Sequence, residues 1–212
     1  MRPTPRKPDR PILWIIAGPN GSGKSSFYNR TDIEGWGGSV WIINPDLLTQ
    51  QVMEREGLLL DDANLAAVQR IEAWLYQSIE VYQTIGVETV LASPKYRALV
   101  EKAKQRGFEV RMIYIVLKSA DLQRERVGIR VSEGGHDVPA DKIAGRRTRS
   151  FEQLAWFFSR ADECYLYDNS TGEPELLGAK VGSSLVRFHQ FPPDLESHLE
   201  VAGVQIVTSP WR

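Results

Sequence analysis

Cysteine is nearly missing from this sequence. Cys164 stands alone, which excludes an intramolecular disulfide and any metal site built from several cysteines, and fits a reducing compartment. An excess of charge of one sign is missing as well. The formal net charge over 212 residues is −1, so no overall basic field draws in nucleic acid or an anionic membrane, and any affinity for phosphate has to be local. No stretch reaches the roughly 18 consecutive apolar residues of a membrane-spanning helix. Met1 to Arg10 carries Arg2, Arg6, Lys7 and Arg10 against one acid, with three prolines, where a secretory signal would turn apolar. These absences read as a cytoplasmic protein with a flexible basic tail over residues 1–11 and no membrane association.

What is present is enough apolar material for one core. At 42% hydrophobic, the chain suits a single domain over residues 12–212. Ile12-Leu-Trp-Ile-Ile-Ala17 is a continuous, largely β-branched run of the kind buried on both faces of a sheet. Shorter runs at Val40–Ile43, Val87–Leu91, Val110–Leu117 and Cys164–Tyr167 are further strand candidates. Between them, Leu65, Val68, Ile71, Leu75, Ile79 and Tyr82 are spaced by three and four as on one helix face. The alternation predicts a three-layer αβα sandwich with a mainly parallel sheet. Beyond Asn169 the pattern loosens into a hairpin of Leu176–Val181 and Leu185–Phe188, then a short strand at Val204–Val207. There is no internal repeat.

Gly18-Pro19-Asn20-Gly21-Ser22-Gly23-Lys24-Ser25 fits the phosphate-binding pattern G-x-x-x-x-G-K-[ST] at every required position. Glycines let the loop turn so that backbone N–H groups point at phosphate oxygens, and a helix starting near Gly23 adds its positive end. Lys24 then supplies a point charge to the β- and γ-phosphates of ATP or GTP, Ser25 a hydroxyl for Mg²⁺, and Ser26 continues the nucleotide-binding segment into the helix. A chance match in a glycine-rich turn is the bland alternative, countered by the buried strand that ends where the loop begins.

Phosphoryl transfer also needs a carboxylate to orient the acceptor and cations around the moving group. Asp46 follows the strand candidate Val40–Ile43, at the sheet edge where ligands collect. It either accepts a proton or helps hold a metal, or it is simply the N-cap of a helix Leu47–Glu56. Glu88 is an acid within an apolar run, so it either binds substrate hydroxyls or faces solvent from an edge strand. Lys118–Arg149 carries eight Lys/Arg against five Asp/Glu. Arg126 and Arg130 share one helix face there, Arg146 and Arg149 a face of a second helix starting near Pro139, with a glycine hinge at Glu133–Pro139 between them. That describes a lid over about residues 119–150, or else a solvated charged face. His136 reads as a polar loop residue more than a base, and Asp168-Asn169-Ser170 as either a turn or a neighbour of the nucleotide base.

Taken together, the phosphate loop, Asn44-Pro45-Asp46, Glu88-Thr89, Arg126, Arg130, Gly134-Gly135-His136-Asp137-Val138-Pro139, Arg146, Arg149-Ser150 and Tyr167-Asp168-Asn169-Ser170 resemble the zeta toxin family. These P-loop kinases include UDP-N-acetylglucosamine kinases. The resemblance implies Asp46 as the base activating a sugar hydroxyl, with Lys24, Arg130 and Arg146 stabilising the migrating phosphoryl group. It implies acceptor contacts from Glu88, Thr89, Asp46 and Arg126. It further implies a nucleotide sugar as acceptor and an antitoxin protein as partner. Many relatives look like Glu-Thr-Thr-Leu where this chain has Glu88-Thr89-Val90-Leu91, so a hydroxyl sometimes available to the acceptor is absent here. Another acceptor (an antibiotic, a nucleoside or a polynucleotide end) and a nucleotide-dependent interaction module are the alternative readings.

Overall fold

The computed structural model describes residues 10–30, 41–132 and 139–208. The basic tail up to Asp9, Val40 and the hinge with His136 lie outside the described residues.

Among them, eight strands form one sheet in the order β2-β3-β1-β4-β5-β6-β7-β8. They are β1 (Ile12–Ala17), β2 (Ile42–Ile43), β3 (Ile85–Thr89), β4 (Glu109–Val116), β5 (Glu163–Asp168), β6 (Glu175–Val181), β7 (Ser184–Arg187) and β8 (Ile206–Thr208). The first five run parallel, β5-β6 and β6-β7 pair antiparallel as the predicted hairpin region, and β8 pairs parallel with β7. The αβα sandwich with a mainly parallel sheet is therefore the observed architecture.

Alternation along the central strands builds two unequal cores. Leu13, Ile15 and Ala17 of β1 and Val110, Met112, Tyr114 and Val116 of β4 point to the larger one. It is covered by α3 (Leu60–Glu80), α4 (Arg97–Gln105), α6 (Ala140–Arg160) and α7 (Pro193–Val201), which contribute Ile71, Leu99, Phe157 and Leu195 among others. Trp14, Ile16, Ile113 and Ile115 point to the opposite face, where Phe27 of α1 (Lys24–Arg30) packs. Two further helices are α2 (Pro45–Glu56) and α5 (Ala120–Ser132).

Three expectations are corrected by these elements. In α3 the buried stripe runs through Ala63, Ala67, Ile71, Leu75 and Ile79, while Leu65 is exposed and Tyr82 lies past the helix end at φ 57. The close fit of small residues outranks leucine's larger apolar area there. Helix α7, opened by Pro193 at its first position, stands between the hairpin and the final strand, where the sequence suggested no element. The final strand is Ile206–Thr208, starting two residues later than expected and ending one later.

Topology places the site. The chain passes from β1 through α1 to β2 on one side, whereas β4 lies on the other side of β1. In an open parallel sheet the crevice beyond the C-terminal end of such a switch strand collects ligands, and that end is Ala17-Gly18.

Candidate active site

The loop from Gly18 to Gly23 turns out of β1 and delivers Lys24 as the first residue of α1. Gly18 has φ +147, and a Cβ there would lie 2.0 Å from the Ile115 carbonyl oxygen, so only glycine leaves the strand at this point. The Ser22 amide donates to the Pro19 carbonyl at 3.3 Å, and the first bond of α1 runs from the Phe27 amide to Gly23 at 2.9 Å. The amides of Lys24, Ser25 and Ser26 precede that first bond, so they have no intrahelical acceptor. This is the donor set an anionic phosphate needs.

Lys24 is folded into the loop. Its ammonium donates to the carbonyls of Gly18 (3.0 Å) and Pro19 (3.2 Å) and lies 4.0 Å from Glu88 Oε1. Burial pushes its pKa down, opposed by the negative charges of Glu88 and Asp46. An amine desolvated but surrounded by acceptors is poised to gain from a phosphate that brings negative charge.

Glu88 organises the opposite wall. Strand β3 lies between β2 and β1, not at the sheet edge, so Glu88 is buried instead of facing solvent. Its Oε2 accepts from Ser25 Oγ at 2.8 Å, Asn44 Nδ2 at 2.9 Å and Tyr28 OH at 3.0 Å. Four residues from three elements, α1, the cap of α2 and β3, thus meet at one carboxylate oxygen. Tyr28 was not singled out in the sequence, although its place four residues after Lys24 puts both on one face of α1. Burial raises the Tyr28 pKa, which keeps the phenol a donor at neutral pH.

Asp46 is not a helix cap. Asn44 caps α2, its Oδ1 accepting from the Asp46 and Leu47 amides at 3.0 and 3.3 Å, and the helix begins at Pro45. This frees the Asp46 carboxylate, whose side chain is 69% exposed and lies 3.7 Å from Arg130 Nη1. Arg130 and Arg126 both line a cleft of about 450 Å³ together with Gly21, Gly23, Lys24, Ser25, Ser26 and Glu88. Arg126 donates to the Ser170 carbonyl at 2.7 Å. Asn169 also lines the cleft and donates from Nδ2 to the Ser22 carbonyl at 2.9 Å, so the Asp168-Asn169-Ser170 segment braces the phosphate loop and Arg126 together.

Other expected site residues stand apart. Pro19, Asn20 and Ser22 are buried within the loop itself, with Gly18 at its base, and none of the four lines the cleft. The Thr89 hydroxyl accepts from the Leu91 amide at 3.0 Å, closing a turn with Leu91 at φ 59. Arg146 is half-buried and does not line the cleft. Its neighbour Arg147 is the buried one, bonded to Asp194 and to the Leu117 carbonyl. Among the described residues no helix is long and apolar enough to cross a membrane.

The zeta toxin family model matches residues 1–170. The chain is 25% identical over 147 residues to an uncharacterized protein of Haemophilus influenzae, covering 65% of this chain and 98% of that one. In fold it is similar to a structure from the PezAT chromosomal toxin-antitoxin system of Streptococcus pneumoniae, at 12% identity and TM-score 0.59, covering 95% of this chain and 88% of that one. It is also similar to an AvrRxo1-ORF1:-ORF2 structure with ATP, at 16% identity and TM-score 0.65, covering 92% of this chain and 64% of that one.

Proposed function

Because the chain belongs to the zeta toxin family, we propose that it is a kinase transferring the terminal phosphoryl group of ATP or GTP to a hydroxyl of a small molecule, with a nucleotide sugar such as UDP-N-acetylglucosamine as acceptor. The observation that carries this reading is the convergence of Lys24, Ser25, Glu88, Arg126 and Arg130 on one cleft beside the phosphate loop, with Asp46 at 3.7 Å from Arg130.

In this reading the amides of the loop and of Lys24–Ser26 hold the β- and γ-phosphates, and the Lys24 ammonium leaves its carbonyl partners to meet them. Asp46 orients the acceptor hydroxyl and takes its proton. The acceptor oxygen bonds to the γ-phosphorus as the bond to the β–γ bridging oxygen breaks, leaving the nucleoside diphosphate. Arg130, beside Asp46, faces the charge spread over the equatorial oxygens, and Arg126 steadies the donor. Helices α5 and α6 act as the lid. Arg146, implied by the family resemblance, does not line the cleft, whereas Arg130 does, so Arg130 carries that role here.

The Ser25 hydroxyl and the Glu88 carboxylate, 2.8 Å apart, are hard oxygen donors of the kind Mg²⁺ takes alongside phosphate and water. Ser25 would hold the ion with Glu88 behind it, and the ion would supply neutralising charge to the β- and γ-phosphates. Glu88 also lies within reach of an acceptor, through the Oε1 that Ser25, Tyr28 and Asn44 leave uncovered.

A protein partner of antitoxin type is a second proposal, supported by the fold's likeness to a structure from a toxin-antitoxin system, and the cytoplasm is the proposed setting. The test is a transfer assay with γ-labelled ATP or GTP against a panel of UDP-sugars. A phosphorylated UDP-sugar is the expected product. Label on a nucleoside, an antibiotic or a polynucleotide end would move the assignment to that acceptor, and transfer to none of them would overturn the kinase reading.

A further inference from the structure

The family match ends at residue 170, yet the segment beyond it reaches back toward the phosphate loop. Asp194, in the first turn of α7, holds both Nε and Nη2 of Arg147, at 2.7 and 3.1 Å. The Arg147 side chain is 3% exposed while that of Asp194 is 45% exposed, so α7 supplies the neutralising charge for an arginine that has left water. The guanidinium then spends its remaining donors inward. Nη2 donates to the Leu117 carbonyl at 2.9 Å, just past the end of β4, and Nη1 lies 3.5 Å from Oε1 of Gln123 in α5. Phe151 lies 4.8 Å beneath the guanidinium.

The last link is steric. A Cβ at Gly21 would come 3.0 Å from Val127 Cγ2 and 3.2 Å from the Gln123 carbonyl oxygen, so α5 rests directly on the backbone of the phosphate loop. The same helix carries Arg126 and Arg130 into the cleft. A buried arginine without its partner is an uncompensated charge, and one fixed in a planar fork orients everything it bonds.

We propose that Asp194 is a positioning residue for the phosphate loop, acting through Arg147 and Gln123 to seat α5 on Gly21. The inference rests on the proposed kinase reading for its consequence, but the mechanical coupling does not. The C-terminal helix is therefore part of the nucleotide site's framework without touching the nucleotide.

The test compares Asp194→Asn, which keeps the shape and removes the charge, with Leu199→Ala, which hollows the same helix at a buried core position outside the network. Hydrogen exchange is followed at the amides of Gly21–Lys24 and of α5 in the nucleotide-free protein, and ATP affinity is measured with Mg-ATP. Asp194→Asn is expected to speed exchange at the loop and weaken ATP by about tenfold, the scale of a coupling carried through one helix. Leu199→Ala, although less stable, leaves both within about twofold, and Asp194→Glu recovers most of the affinity. Should Asp194→Asn fail to fold, Gln123→Met severs the link to α5 alone and carries the same expectation. Unchanged loop exchange and ATP affinity in the variants would overturn the proposal. Wild-type protein that does not bind ATP would count against the kinase reading instead, with the exchange comparison still deciding the coupling.

Discussion

Arg130 Nη1 lies 3.7 Å from Asp46 Oδ2, joining helix α5 to the start of α2 across the cleft. Both groups are partly in water, 40% and 69% exposed by side chain, so the contact contributes little to stability. Its value is positional, because it brings a guanidinium to the carboxylate that would take the acceptor's proton.

Replacing Arg130 by Ala should therefore lower kcat by roughly 10²–10³, the usual cost of losing one transition-state donor, with the melting temperature almost unchanged. Arg146→Ala, on a residue that does not line the cleft, should cost much less. Steady-state kinetics of the two variants side by side would check this, and equal losses would return Arg146 to the catalytic group.

Asn44 separates two jobs that substitution can divide. Asn44→Ser keeps an oxygen to cap α2 but removes the Nδ2 donor to Glu88, so stability should hold while kcat falls. Asn44→Ala loses the cap as well and should be less stable by about 1 kcal/mol. Urea denaturation alongside turnover distinguishes the two.

Lys24 predicts opposite signs for activity and stability. Lys24→Ala should remove nearly all transfer, about 3 kcal/mol or more of transition-state stabilisation. Burial lowers the Lys24 pKa below its free value of 10.5. Between the lowered value and 10.5 the unfolded chain binds more protons at this site than the folded one, so its contribution to stability rises with pH there. Lys24→Met lacks that ionisation, and the stability gap between it and wild type should shift in favour of wild type as pH rises through the window. Parallel denaturation series of the two proteins would show it.

Gly18→Ala should destabilise by on the order of 3 kcal/mol, since the added methyl meets the Ile115 carbonyl at 2.0 Å. A melting curve within a degree of wild type would mean that the loop leaves β1 by another route.

The parts of this molecule that were legible in the sequence are those whose signal is local. The run Ile12–Ala17 and the glycine spacing after it announce strand and phosphate loop within a dozen residues, because burial on both faces and positive φ leave a mark on composition. Roles set by a neighbour in space were harder to read. From the residues alone Asp46 reads equally as a base or metal ligand and as a helix cap, and it is Asn44 whose side chain bonds the α2 amides. Arg146 and Arg147 are adjacent and chemically identical, but the second lies on the buried stripe of α6 with Ile143, Phe151 and Leu154, and the partner that meets its charge, Asp194, is 47 residues on. Glu88 could have faced solvent or substrate, and the sheet order that encloses it between β2 and β1 depends on contacts far apart in the chain. Helix α7 leaves little mark in the sequence because its buried apolar residues are only Leu195 and Leu199, too few positions to establish a period.

The central claim is that this cleft moves a phosphoryl group with Asp46 as the base. It is tested most directly by comparing Asp46→Asn with wild type for Mg-ATP binding and for transfer of the γ-label to UDP-N-acetylglucosamine. The account predicts unchanged ATP affinity and transfer slowed by about 10²-fold or more. Transfer at the wild-type rate in Asp46→Asn would contradict it.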